Sequence, residues 1–331
     1  MNLLRFSIFI FSLLGAVTAS SQNYGEHPEA LKFMGEMVAS HNFSEAELKQ
    51  LFVSAERQQK ILDAIAKPAE KTLTWAEYRK IFIQDSRIEK GAKFWQDNAV
   101  TLQKATDNFG VPAEVIVAII GVETRYGENK GSYRVVDALS TLGFDYPPRA
   151  SFFRKELEHF LLLSREQRQD PSVLLGSYAG AMGYGQFMPS SFRSYAVDFD
   201  GDEVADIWDN SVDAIGSVAN YLAKHGWQRD QNIVVRARVG SSYNPGLVNK
   251  SLNADQTIAE LKAGGIEPIA ELDDATPALA LRLKGENGTE FWVGLKNFSV
   301  ITRYNRSSLY AMAVTQLADN ILQLQQAQSI E

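Results

Sequence analysis

The chain has 331 residues, with 40 acidic against 33 basic side chains and a formal net charge of −7. That balance argues against nucleic acid as a partner, since binding it relies on neutralising phosphates with Lys and Arg. Cysteine is absent, which excludes disulfides, thiolate metal sites and a thiol nucleophile.

At the N-terminus, Arg5 precedes an apolar run over residues 6–17 and the small-residue stretch Val17-Thr18-Ala19-Ser20-Ser21. That is the order of a secretory signal peptide over residues 1–19, with cleavage expected after Ala19. The run falls short of the ~20 residues a spanning helix needs, and no cysteine can carry an acyl chain. A soluble exported protein is therefore expected.

Residues 27–108 carry a helical pattern. Ser44 with Glu47, and Thr74 with Glu77, have capping-box spacing, and Pro68 breaks the chain between them. Residues 110–228 stay mostly helical but are interrupted by a glycine-rich and an aspartate-rich loop. Beyond Trp227 the pattern changes to strands, expected at 233–239, 278–283 and 291–295, with Asn287-Gly288 as a hairpin turn. A short helix is expected at 257–263. Leu309, Met312, Ala313, Leu317 and Ile321 recur at helical spacing and predict a closing helix. The expected class is mainly α (α+β). A helical domain at 20–109 is rejoined by a C-terminal helix at 306–329, and a core at 110–228 is followed by a small β-containing insert at 229–305.

Gly110-Val111-Pro112 leads into a segment, 115–122, with no polar residue, and Glu123 follows it. A helix apolar all round is buried in a large core. A carboxyl at its C-terminal end loses hydration and faces the negative end of the helix dipole; both raise its pKa and suit it to act as a general acid. The competing reading is a salt bridge from Glu123 to Arg125. Glu128, five residues on, lies in a Gly-Glu-Asn-Lys-Gly turn and reads as solvated.

Residues 176–191 place four glycines, Gly176, Gly180, Gly183 and Gly185, among Tyr178, Tyr184, Gln186 and Phe187, a composition suited to close approach of a sugar polymer. Glu123-Thr124-Arg125-Tyr126-Gly127, the run Gly180-Ala181-Met182-Gly183-Tyr184-Gly185-Gln186-Phe187-Met188-Pro189-Ser190, and Tyr304-Asn305 with Tyr310 together resemble the lytic murein transglycosylase B family. The resemblance spans essentially the whole chain after the signal. It implies a lysozyme-like catalytic core and non-hydrolytic cleavage of the MurNAc–GlcNAc β-1,4 bond to 1,6-anhydroMurNAc ends. Glu123 corresponds to the sole acid/base, and Tyr78, Arg149, Ser177, Gln186, Tyr304, Asn305 and Tyr310 to residues lining the glycan groove. Pro148 and Phe152 depart from the family's arginine and tyrosine. Peptidoglycan glycan strands are the implied partner, with cell-wall synthesis or division complexes as further ones. A periplasmic monomer is expected. The alternatives are a non-catalytic peptidoglycan-binding scaffold and a hydrolytic muramidase.

Asp198, Asp200, Asp202, Asp206 and Asp209 occupy positions 1, 3, 5, 9 and 12 of an EF-hand-like loop, an alternation that supplies oxygens to Ca2+. Position 6 is Glu203 instead of glycine, and position 12 is aspartate instead of glutamate. By resemblance the loop closes later, which gives Asp198, Asp200, Asp202, the Val204 carbonyl and Asp213 as a structural calcium site at 198–213. By count alone Asp209 closes it.

Overall fold

The computed structural model describes residues 23–66 and 73–328. The signal-peptide reading and Pro68 fall outside the described residues. The chain divides between Glu56 and Arg57 into two compact units, so the division lies well before the boundary near residue 109 expected from the pattern. In the first unit, helices Pro28–His41 and Glu45–Ser54 pack through an edge-to-face contact of Phe33 and Phe52, with centroids 6.0 Å apart. Ser44 caps the second helix by accepting from the Glu47 N–H, which is one half of the expected box.

In the second unit the capping box is complete. Thr74 accepts from the Glu77 N–H and Glu77 accepts from the Thr74 N–H, starting helix Trp75–Phe82. The central helix is Ala113–Thr124, and every residue from Val115 to Val122 is buried. Burial of each Val or Ile there contributes about 1.5–3 kcal/mol. Around it pack Asp85–Asp97, Ala99–Phe109, Ser211–Lys224 and the C-terminal helix Ser308–Gln328. The C-terminal helix, which the spacing predicts, also packs on Trp75–Phe82. No single described helix is long and apolar enough to cross a membrane.

The insert forms a five-stranded antiparallel sheet in the order Gln256–Thr257, Pro277–Gly285, Gly288–Gly294, Val234–Val239, Ile266–Pro268. Its hairpin pairs Gly285 with Gly288, so the two turn residues are Glu286 and Asn287. Gly288, with φ 116°, thus opens the second strand instead of closing the turn, earlier than the expected start at 291, because glycine in the fourth turn position accepts a dihedral other residues avoid. Ile258, Leu261, Ile266, Ala280 and Val293 make a separate small core under one face of the sheet. Helix Lys296–Tyr304 was not legible in the pattern; it follows the last strand directly and brings Tyr304 beside Tyr221 and Tyr310.

Candidate active site

Glu123 sits half-buried in the last turn of the central helix. The helix stops because Arg125, Tyr126 and Gly127 take φ values of 54°, 63° and 90° in succession. Left-handed backbone suits Gly127, but at a non-glycine residue it costs about 1–3 kcal/mol and persists only when the surroundings impose it. Here they do. The Arg125 and Tyr126 N–H groups donate to Gly121 O and Ile120 O at 3.1 and 3.3 Å. The buried Arg87 guanidinium donates to Gly121 O as well, so the helix end is not bare: a cation offsets the dipole there. Burial holds Arg87 below the usual guanidinium range.

Thr124 ties this end to the glycine-rich loop. Its hydroxyl lies 2.9 Å from Tyr184 O and 3.1 Å from Ile120 O, and accepts from the Gly127 N–H at 3.0 Å. The loop folds back through the Met182–Phe187 bridge, which turns at Gln186, itself left-handed at φ 49°. The Gln186 amide donates to Lys130 O and Gly183 O. Ser177 accepts from the N–H groups of Ala179 and Ala181 at 3.3 and 3.1 Å, so its hydroxyl shapes the turn ahead of the loop. Gly185 must be glycine, since a methyl there would lie 2.7 Å from the Tyr304 hydroxyl.

From the far end of the chain, Tyr304 donates to Gly185 O at 2.6 Å and Tyr310 donates to Glu123 Oε1 at 2.6 Å. The two rings lie nearly parallel, 10° apart in plane. Both hydroxyls are pushed well above the usual tyrosine range, first by burial and then by the Glu123 charge, so they keep their protons and act as donors. Tyr221, which the sequence reading did not single out, packs on Tyr304 at 4.7 Å and anchors Arg303 O with its hydroxyl at 2.6 Å. Its helical spacing marked only a core residue.

The other groove candidates are distributed differently. Tyr78 is buried at 4% exposure beside Phe82 and acts electrostatically on Tyr310. Asn305 is half-buried at the end of helix Lys296–Tyr304. Arg149 is exposed in the turn Pro147–Arg149 and lies over the rings of Phe152 and Phe153 at 4.4 and 5.0 Å. Glu128 forms ion pairs with Lys90 and Arg125, and the Lys90 hydrogen bond holds its carboxyl below the usual range. An anion so paired is unsuited to donate a proton.

In the aspartate loop, Asp198, Asp200, Asp202 and Asp213 bring one carboxylate oxygen each within 4.8 Å of one another. Asp213 is fully buried and accepts from the Phe199 and Asp206 N–H groups at 2.7 and 2.8 Å. Asp209 is turned away to Lys130 at 2.8 Å. Glu203 takes φ 73° in the position where an EF-hand has glycine, and the Val204 N–H donates to Asp202. Four carboxylates so close repel unless a cation lies among them, and hard oxygens with one buried member fit Ca2+.

Residues 25–319 match the family described as transglycosylase SLT domain. The membrane-bound lytic murein transglycosylase B of Escherichia coli K12 is 43% identical over 308 residues, 90% of this chain and 84% of its own. The catenated lytic transglycosylase SltB1 of Pseudomonas aeruginosa is 52% identical, with a TM-score of 0.89 over 92% of this chain and 100% of that one. The Escherichia coli lytic transglycosylase Slt35, solved in complex with calcium, is 42% identical, with a TM-score of 0.83 over 93% of this chain and 98% of that one. The mainly α, lysozyme-like class expected from the motifs is borne out by these likenesses.

Proposed function

The chain belongs to the transglycosylase SLT domain family, and on that premise we propose that Glu123 is its single acid/base. The protein is a lytic transglycosylase of peptidoglycan. Protonated Glu123 gives its proton to the bridging oxygen of the MurNAc–GlcNAc β-1,4 bond as that bond breaks. The 2-acetamido oxygen of MurNAc supports the carbon being vacated. Ionised Glu123 then takes the proton of the same sugar's C6 hydroxyl, whose oxygen closes onto C1 to give 1,6-anhydroMurNAc. No water enters. The observation that carries this reading is the Tyr310 hydrogen bond to Glu123, which fixes the carboxyl group's rotation at the end of a rigid, buried helix. Glycosidases that use water pair two carboxylates across the bond, whereas Glu128, the next carboxylate along the chain, is held in ion pairs.

The groove assignment extends to Tyr78, Arg149, Ser177, Gln186, Tyr304 and Asn305. Asp198, Asp200, Asp202, the Val204 carbonyl and Asp213 are assigned to a structural Ca2+ that pins the 198–213 loop to helix Ser211–Lys224. Export to the periplasm with cleavage after Ala19 completes the proposal, and N-terminal sequencing of the exported protein tests it. Mass spectrometry of digested sacculi tests the chemistry. Anhydro ends are expected; new reducing ends indicate hydrolysis, and intact strands indicate a binding scaffold.

A further inference from the structure

The Tyr126 ring occupies a slot that two glycines on different helices keep open. A methyl at Gly121, on the helix that carries Glu123, would lie 2.6 Å from the ring's Cζ and hydroxyl. One at Gly91, on helix Asp85–Asp97, would lie 2.5 Å from the hydroxyl and 2.6 Å from Ile321 Cδ1. The hydroxyl donates to Arg87 O at 2.9 Å, while the Arg87 side chain donates back to Gly121 O. Phe94 closes the slot with its ring 5.7 Å away. Tyr126 is thus tied through Arg87 and Gly121 to the turn that bears Glu123, and its own backbone is one of the left-handed residues ending that turn.

We infer that Tyr126 is the positioning residue for Glu123: its ring, wedged between Gly91 and Gly121, holds the left-handed helix end that sets the carboxyl group's place opposite Tyr310. The ring anchors a backbone geometry that the residues themselves disfavour, and Glu123 lies three residues before it. Release of the wedge lets the helix end relax, and a displacement on the order of 1 Å at a catalytic group costs as much as ~10²-fold in rate. This inference rests on Glu123 being the acid.

The test measures kcat and KM on a soluble glycan, per folded molecule and well below the unfolding temperature, for Tyr126→Ala, Gly121→Ala and the double variant. Each single variant is expected to lose at least ~10-fold in kcat with KM within about twofold. The double variant should be no worse than the weaker single one, because both changes break one contact. Tyr126→Phe, which keeps the ring, should recover most of the rate. Normal kcat in folded Tyr126→Ala overturns the inference, as does a loss confined to KM or losses that multiply in the double variant. Where Tyr126→Ala does not fold, Tyr126→Leu and Gly121→Ala carry the same readout. Glu123→Gln run alongside separates the two ideas: if it keeps activity the acid assignment fails, and if it is inactive while the wedge variants are normal only the positioning role fails.

Discussion

The Tyr310 hydroxyl donates a 2.6 Å hydrogen bond to Oε1 of Glu123, joining residues 187 positions apart in the chain. The helix Ser308–Gln328, which carries Tyr310 in its first turn, packs on the central helix. The candidate acid is thereby braced by the last element of the fold.

Replacing Glu123 with Gln keeps the shape and removes the transferable proton. Glycan cleavage should fall by ~10²–10⁴-fold, the usual contribution of a positioned acid/base, while glycan binding and the melting temperature change little. A variant retaining more than a few per cent of activity shows that the proton comes from elsewhere.

Tyr310→Phe deletes one hydroxyl from a buried site. A hydrogen bond to a charged group contributes about 1.5–3 kcal/mol, so kcat should drop ~10–100-fold with KM nearly unchanged. Steady-state kinetics on soluble glycan decides it; an unchanged kcat removes Tyr310 from the mechanism.

Tyr304 and Tyr310 have hydroxyls raised well above the ordinary tyrosine value of about 10. In the unfolded chain both ionise near that pH, whereas in the fold they keep their protons. The unfolded state therefore binds fewer protons above pH ~10, and stability is fully present below that pH and falls as pH rises beyond it. Thermal unfolding followed from pH 8 to about 11.5 should show this decline. Tyr310→Phe should flatten it, and an equal slope in the variant contradicts the assignment.

Calcium should raise the melting temperature by several degrees, since a ligand bound only by the folded state stabilises by about 2.7 kcal/mol at a hundred times its Kd. Asp200→Ala should abolish the shift, whereas Asp209→Ala should leave it, because Asp209 is paired with Lys130. No shift at millimolar calcium sinks the metal assignment.

Much was legible because its causes act within a few residues. The apolar run ahead of Glu123 could only be a buried helix. Thr74 and Glu77 have the spacing that caps, and Asp198, Asp200 and Asp202 come close in a tight loop by spacing alone. What the chain pattern left open depended on distant partners. Nothing local separates Asp209 from Asp213 as the carboxylate that joins the other three; Lys130 engages Asp209, and the backbone N–H groups of Phe199 and Asp206 hold Asp213 within the cluster. Helix Lys296–Tyr304 escaped the pattern because it follows a strand without a break. The bond from Tyr310 to Glu123, the slot for Tyr126 and the contact of Tyr304 with Gly185 arise only when helices far apart in sequence pack side by side. Local periodicity and turn chemistry set which residues are buried and where helices begin, while close packing of those helices sets which buried groups meet.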